Sequence, residues 1–197
     1  MADPVAHSPI GHLAPPSAGP ADDDIALAER AFVGKIGLRG DAGDPAFVAA
    51  VAAALGTAPP STPNTVARGA QATLLWLGPD EWLAVLPPGA ETDAIHRLDD
   101  AFAGRHASAL DISDARTVIR LTGRRAADLL AKGCALDLHP RVFGPDTCAQ
   151  SSIAKANVLI HRLDDGTGFD LYVAASFAEY LWTWLVDAAR EYDAGPA

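Results

Sequence analysis

The residues of this sequence that could perform acid–base chemistry are few and lie mostly in its second half. Asp111 and Asp114 are separated by two residues near the end of a predicted strand, and two carboxyl groups at one strand end could act as a general acid and base. His139 could serve as a base, but no serine or cysteine nucleophile is identifiably paired with it. Solvated acidic residues at the surface explain such carboxylates more simply. We therefore predict that the chain has no catalytic residues of its own.

Two cysteines, Cys134 and Cys148, are the remaining candidates for thiol chemistry or metal binding. With His139 and His161 they form the pattern C-x4-H-x8-C-x12-H, which lacks the paired short spacings of a zinc site. Two cysteines are also too few for a disulfide framework in a chain of this length. The sequence favours two buried free thiols and predicts no metal site, with zinc as the less favoured alternative.

Motifs that bind cofactors are also missing from the sequence. It contains no G-x-G-x-x-G and no G-x-x-x-x-G-K-[ST], so a dinucleotide or P-loop site has no support. It contains neither G-x-S-x-G nor H-E-x-x-H. We therefore predict no cofactor-binding residues in this chain.

Length, charge and hydropathy restrict the class of protein. The 197 residues suffice for one large domain or two small ones, and 49% hydrophobic residues provide material for a core. The net charge of −10 disfavours binding to nucleic acid or to an anionic membrane surface. No apolar run approaches a membrane span, and the N-terminus lacks the pattern of a secretory signal. We expect a soluble, cytoplasmic protein.

The chain divides into a long central region and two tails. Residues 1–24 are rich in proline and alanine, are acidic and show no periodicity, so we expect a tail that is disordered or ordered by a partner. Residues 25–192 form the predicted α+β domain, and residues 193–197 form a C-terminal tail.

Hydrophobic periodicity and turn residues predict the elements of this domain. In the first half they give the order β-α-β-β-α-β, which is the ferredoxin-like arrangement. In the second half they give a helix, two strands joined by a turn, and a final helix opened by a capping box at Ser176 and Glu179. The predicted elements are strand 30–39, helix 44–56, strands 72–78 and 82–86, helix 91–104, strand 109–121, helix 124–132, strands 150–163 and 169–174, and helix 176–192.

The final helix has more apolar surface than one core-facing stripe requires. Trp182 and Val186 lie four residues apart on the flank of that stripe, and the residues alone favour a helix packed on two sides by its own chain. The alternative, a contact of Trp182 and Val186 with another subunit, is the interpretation that we carry forward as the candidate interface. The predicted core-facing stripe consists of Phe177, Tyr180, Leu181, Trp184, Leu185, Ala188 and Tyr192.

Three stretches together resemble the gamma subunits of heterotetrameric sarcosine oxidase. They are WLGPDEWL at residues 76–83, LTGRRAADLLAKGCALDLHP at 121–140 and FDLYVAASFAEYLWTWL at 169–185. Each stretch alone consists mainly of residues typical of turns and cores. The resemblance is specific because all three stretches occur in the same order and with the same spacing. The resemblance extends from about residue 25 to residue 192.

This resemblance implies a fold and a partner set. It implies ferredoxin-like α+β units similar to the folate-binding aminomethyltransferase domains. It also implies a complex that demethylates sarcosine oxidatively to glycine, passes the one-carbon unit to tetrahydrofolate and releases hydrogen peroxide. In such a complex FAD, FMN, NAD, tetrahydrofolate and zinc belong to the alpha, beta and delta subunits. The gamma chain would be a non-catalytic partner that packs mainly against alpha.

Two alternatives remain open from the sequence. The chain could be the gamma-type subunit of a complex that demethylates another N-methyl amino acid, because substrate choice would lie in the beta-type subunit. It could also be a stand-alone folate-binding protein of one-carbon metabolism, since fold alone does not determine function. If the subunit interpretation holds, Trp182→Ala is expected to weaken assembly more than it weakens the isolated fold.

Overall fold

The computed structural model describes residues 6–13 and 24–193. Within them, antiparallel strands form two five-stranded sheets, and helices cover the outer face of each sheet. The strands are β1 (Ala26–Glu29), β2 (Gly34–Arg39), β3 (Val66–Arg68), β4 (Thr73–Gly78), β5 (Glu81–Leu86), β6 (Ser108–Asp111), β7 (Arg116–Thr122), β8 (Cys148–Ile153), β9 (Ala156–Arg162) and β10 (Gly168–Ala174). The helices are α1 (Pro45–Leu55), α2 (Glu91–Phe102), α3 (Ala126–Ala131) and α4 (Ala178–Asp193), with 3-10 turns at Gly11–Leu13 and Ala175–Phe177.

The strand order confirms the ferredoxin-like prediction. In the second sheet the order is β3-β4-β5-β2-β6, so the run β2-α1-β4-β5-α2-β6 has the ferredoxin-like connection, with β3 added at one edge. In the first sheet the order is β1-β7-β10-β9-β8. The same connection recurs there through β7, α3, β9, β10 and α4. The N-terminal strand β1 occupies the edge position beside β7. The chain thus consists of two related units, and the N-terminal strand β1 of the chain completes the unit formed by its C-terminal half.

The core is arranged in layers that follow from strand alternation. Along β10, Phe169 and Leu171 join the cluster shared with α3 and α4, whereas Tyr172 points to the opposite face. That opposite face packs against the second sheet, where Leu75 and Leu83 belong to the same cluster. A further cluster lies between the second sheet and helices α1 and α2. The result is a helix–sheet–sheet–helix stack.

Helix α1 begins and ends where its sequence predicts. The Asp44 side chain accepts a hydrogen bond of 2.9 Å from the Ala46 backbone N–H, and Pro45 occupies the first helical position. Gly56 ends the helix with a left-handed φ of 80°, which a residue with a side chain rarely adopts.

Three predicted strands are shorter than the sequence indicated, because a turn interrupts each extended run. The run 109–121 divides into β6 and β7, which lie in different sheets, and the Asp111 carboxylate accepts a bond of 2.8 Å from the Ser113 N–H at the start of the turn. The run 150–163 is the hairpin of β8 and β9, with Ala154 at φ 51°. In the run 30–39, Phe32 has φ 58°, and β2 begins only at Gly34.

Part of the N-terminal segment belongs to the fold, which corrects the prediction of a tail for those residues. Ile10 is fully buried in the cluster between the first sheet and α4. The Ser8 hydroxyl donates a hydrogen bond to the Glu29 carboxylate. This segment therefore packs on its own chain. The remainder of the predicted tail, residues 1–5 and 14–23, lies outside the described residues, as do residues 194–197 of the predicted C-terminal tail.

Candidate functional site

Helix α4 faces the core with most of the predicted stripe, since Leu181 and Leu185 are fully buried and Trp184, Ala188 and Tyr192 pack against the same cluster, but the ends of the stripe differ. Trp182 is 4% exposed and packs in the core, whereas Phe177 and Tyr180 of the predicted core stripe are 46% and 38% exposed. The placement of Trp182 on an outer flank is therefore wrong. Val186, its predicted companion, is 37% exposed, as expected of a surface residue. The core-facing residues of α4 are Ala178, Leu181, Trp182, Leu185 and Ala189.

The start of α4 differs from the predicted capping box. That box would have placed Ser176 as the N-cap, but a 3-10 turn over Ala175–Phe177 precedes the helix. The N-cap position of that turn is Ala174, which makes no side-chain capping bond. Phe177 therefore lies outside the α-helix and does not share the helical spacing of its core-facing residues.

An apolar depression of about 860 Å³ follows the outer side of α4. Its apolar part is lined by Leu13, Tyr180, the remaining exposed edge of Trp182, and Val186, and charged residues of α4 such as Glu179, Asp187 and Arg190 lie around them. The Phe177 ring extends this surface, since it packs edge-on against Tyr180 at 6.5 Å between ring centroids. We call Leu13, Phe177, Tyr180, Trp182 and Val186 the α4 patch. Both residues predicted to contact a partner therefore belong to one apolar surface, although only Val186 is substantially exposed.

A buried carboxylate bridges two arginines at one end of the layer between the sheets. Asp170 on β10 is 2% exposed. Its two oxygens accept bonds of 2.8 and 2.9 Å from Nε and Nη2 of Arg120, and one of them accepts a bond of 2.6 Å from Arg30 Nη1. The hydrogen bond to Asp170 raises the pKa of the Arg120 guanidinium. Bidentate pairing of this kind fixes both side chains.

His161 lies beside this carboxylate, because it is paired with Asp170 across β9 and β10. It is 4% exposed, and burial lowers the pKa of its imidazole to about 4. Its Nε2 is 3.5 Å from Nη2 of Arg68, which can only donate a hydrogen bond. His161 is therefore neutral at pH 7, and the contact with Arg68 fits the tautomer whose proton is on Nδ1.

The buried neutral imidazole makes stability sensitive to acid. The pKa of His161 is about 4 in the folded chain and ~6.5 when unfolded, so the unfolded state binds the extra proton between these values. The free energy of unfolding therefore has its full value above about pH 6.5 and decreases as the pH falls toward 4. The decrease is roughly 2 kcal/mol at pH ~5. Denaturant titrations over this range should show a smaller loss for His161→Gln than for wild type. His96→Gln, an exposed histidine on α2, is the control, and an equal slope in all three proteins would contradict the prediction.

The structure does not bring the two cysteines together. Cys134 belongs to the cluster beside α3 and α4, whereas Cys148 belongs to the cluster between the sheets, on the other face of the first sheet. Burial raises the pKa of the Cys148 thiol to about 12, so it is not a nucleophile at neutral pH. His139 is exposed, and its Nδ1 accepts a bond of 3.2 Å from the Arg141 N–H. In residues 6–13 and 24–193 no three His, Cys, Asp or Glu side chains are grouped to hold a metal ion.

The two carboxylates considered for acid–base chemistry lie at an exposed turn. Asp111 and Asp114 are both exposed, and Asp111 stabilises the turn between β6 and β7 through Ser113. Their nearest notable neighbour is Lys35, which is 2% exposed on β2. Burial lowers the pKa of Lys35, and the two aspartates oppose that shift. The positions of Asp111 and Asp114 are therefore explained by their place in the turn, without a role in acid–base chemistry.

Sequence reasoning missed the cluster around Asp170, because its members are far apart in the chain. Arg30 and Asp170 are 140 residues apart and meet only through the strand order β1-β7-β10. One signal was present in the sequence. Asp170 interrupts the otherwise apolar strand FDLYVA, and a charge inside a buried strand requires a partner.

The described part of the chain has no helix with the length and apolar character needed to cross a membrane.

Comparison with known proteins identifies relatives along almost the whole chain. The family model described as "Sarcosine oxidase, gamma subunit family" matches residues 39–191. Sarcosine oxidase subunit gamma of Corynebacterium sp. (strain P-1) is 39% identical over 194 residues, which cover 98% of this chain and 94% of that protein.

Solved structures agree with this relationship. A chain of the heterotetrameric sarcosine oxidase from Corynebacterium sp. U-96, in complex with pyrrole 2-carboxylate, superposes with a TM-score of 0.86 and 34% identity, covering 98% of both chains. Aminomethyltransferase T of the glycine cleavage system from Bartonella henselae has a TM-score of 0.66 at 16% identity, covering 84% of this chain and 46% of that one. The second similarity concerns the fold alone, and it confirms the expected aminomethyltransferase-like architecture.

Proposed function

This chain belongs to the sarcosine oxidase gamma subunit family, and on that premise we propose that it is the non-catalytic gamma subunit of a heterotetrameric sarcosine oxidase. The observation that supports the proposal most strongly is the match to the Corynebacterium sp. U-96 complex over 98% of both chains. The role of the chain is to assemble and stabilise the complex.

The complex would demethylate sarcosine oxidatively to glycine, with transfer of the one-carbon unit to tetrahydrofolate and release of hydrogen peroxide. The FAD, FMN, NAD, tetrahydrofolate and zinc of the complex would be bound by the other subunits. The residues of this chain do not fit zinc, because Cys134 and Cys148 lie on opposite faces of a sheet. The full sequence also lacks a glycine-rich loop for the phosphates of a dinucleotide. Two unpaired cysteines suit assembly in the reducing cytoplasm.

The alpha subunit is the proposed main partner, and the α4 patch is the proposed contact. Exposed aromatic and aliphatic side chains that form one surface are typical of protein interfaces. Phe177, Tyr180 and Val186 are each more than a third exposed and lie on the same helix or its first turn. An aromatic pair beside an apolar depression is also the usual composition of an energetic centre in an interface.

Purification of a tagged copy from its native host tests the proposed function. The chain should co-purify with larger subunits that show the visible absorption of flavin, and the preparation should convert sarcosine to glycine. A colourless chain without partners that binds tetrahydrofolate would instead support the stand-alone folate-binding protein. A complex that oxidises another N-methyl amino acid but not sarcosine would contradict the proposed substrate.

Val186→Asp tests the α4 patch as the contact. A carboxylate at this position would be buried without a partner in the complex, so we expect assembly to weaken by about tenfold or more. The free chain should keep its stability to within ~0.5 kcal/mol, because Val186 is 37% exposed. Val142→Asp is the matched control, since Val142 is 65% exposed away from the patch. Equal assembly by the two variants, measured by co-purification and by titration of the other subunits, would exclude the α4 patch.

A further inference from the structure

The layer between the two sheets ends in a polar cleft that the proposed assembly role does not use. Its volume is about 490 Å³, and its mouth is formed by Arg30, Arg68 and Arg120 together with Asp170 and His161. We call these five residues the arginine cleft. The three arginine side chains are 35%, 32% and 34% exposed, so each is held by the protein yet reachable from solvent.

The guanidinium groups of the arginine cleft have more donors than the protein uses. Each guanidinium has five N–H donors, and the bonds to Asp170 engage two on Arg120 and one on Arg30. Arg68 donates from Nε to the exposed Asp146 at 2.8 Å. Arg30 and Arg120 thus share the buried Asp170, whereas Arg68 pairs with Asp146 and lies 4.0 Å from Asp164 at the exposed rim. The charges of the three arginines are balanced by these three aspartates, but the remaining N–H donors of the guanidinium groups are open to a further acceptor.

His161 supplies an independent indication of a ligand. Arg68 can only donate a hydrogen bond, so its contact of 3.5 Å with Nε2 fits the tautomer that carries the proton on Nδ1. Among the residues that the structure describes, Nδ1 has no hydrogen-bond partner, and it is buried. Buried polar groups without a partner are rare in native proteins, so Nδ1 is expected to meet an acceptor from outside the chain, either a water molecule or a ligand.

We propose that the arginine cleft binds a small organic anion through its carboxylate group. A planar carboxylate matches the fork of a guanidinium, as the bidentate pair of Arg120 and Asp170 in the same cleft demonstrates. The cleft wall beyond the arginines includes Val85 and Leu86, so the carbon skeleton of the ligand lies against an apolar surface. This site is separate from the α4 patch and does not depend on the identity of the complex.

Calorimetric titration of the full-length chain with succinate tests the site, with phosphate at matched ionic strength as the comparison anion. We expect succinate to bind, and Arg68→Gln to weaken binding by about tenfold or more through loss of a charge-assisted bond. Arg39→Gln, which removes an exposed arginine paired with Asp80 and Glu81, should bind as wild type does. Arg30→Gln is a second variant in case Arg68→Gln fails to fold. In wild type, NMR signals of the His161 ring should shift on binding.

The proposal is overturned if wild type fails to bind succinate at millimolar concentration. It is also overturned if Arg39→Gln loses as much affinity as the cleft variants, because the effect would then be general electrostatics. Tighter binding of phosphate than of succinate would reject a carboxylate ligand in favour of a phosphate one. None of these results depends on whether the chain assembles with other subunits, so failure here leaves the proposed function intact.

Discussion

Replacing Trp182 by alanine is expected to lower the free energy of unfolding of the chain by about 3–5 kcal/mol. Trp182 is 4% exposed and lies in the cluster between α4 and the first sheet. Removing the indole leaves a cavity in a layer where Leu181 and Leu185 are fully buried and cannot move outward to fill it. Urea denaturation of the full-length chain measures the effect.

This result would reverse the expectation from the sequence, which was that Trp182→Ala affects assembly more than folding. The matched control is Phe177→Ala, which truncates an aromatic residue that is 46% exposed in the α4 patch. Phe177→Ala should cost less than ~1 kcal/mol in stability. If Trp182→Ala and Phe177→Ala lower the free energy of unfolding equally, Trp182 is not buried as the structure shows. If Trp182→Ala keeps its stability and loses only assembly, the original interface interpretation is restored.

Elements determined by neighbouring residues were predictable from the sequence. The bounds of α1 follow from Asp44, Pro45 and Gly56, whose effects act within a few residues. The β-α-β-β-α-β order follows from periodicity and turn residues in the same way. The structure of this half agrees because local preferences and packing favour the same elements.

Features determined by distant contacts were not predictable. The turn between β6 and β7 transfers the chain from one sheet to the other, and the predicted strand 109–121 contains no proline or glycine to mark it. The burial of Trp182 depends on packing of α4 against the first sheet, and the capping pattern did not indicate the 3-10 turn before the helix. The arginine cleft assembles from β1, β3, β7, β9 and β10 and their flanking residues, so it exists only once both sheets have formed.

Asp170→Asn is expected to lower stability by about 3 kcal/mol, because it removes the negative charge between two arginines. Asparagine retains the size of the side chain and one oxygen acceptor, but Arg30 and Arg120 would lose their common counter-charge. Their exposure of about a third allows partial hydration, which places the cost at the lower end for a broken buried pair. Asp146→Asn removes one bond to Arg68 from an exposed aspartate, so it should cost less than ~1 kcal/mol.

The same substitution connects the stability of the fold to the arginine cleft. In Asp170→Asn the guanidiniums of Arg30 and Arg120 lack a counter-charge, which a carboxylate bound at their solvent-accessible side would supply. Succinate should therefore raise the melting temperature of Asp170→Asn more than that of wild type, and more than sodium chloride does at equal ionic strength. Equal responses to succinate and chloride would show that only screening is involved. A loss of less than ~1 kcal/mol in urea would show that Asp170 is not the counter-charge on which the two arginines depend.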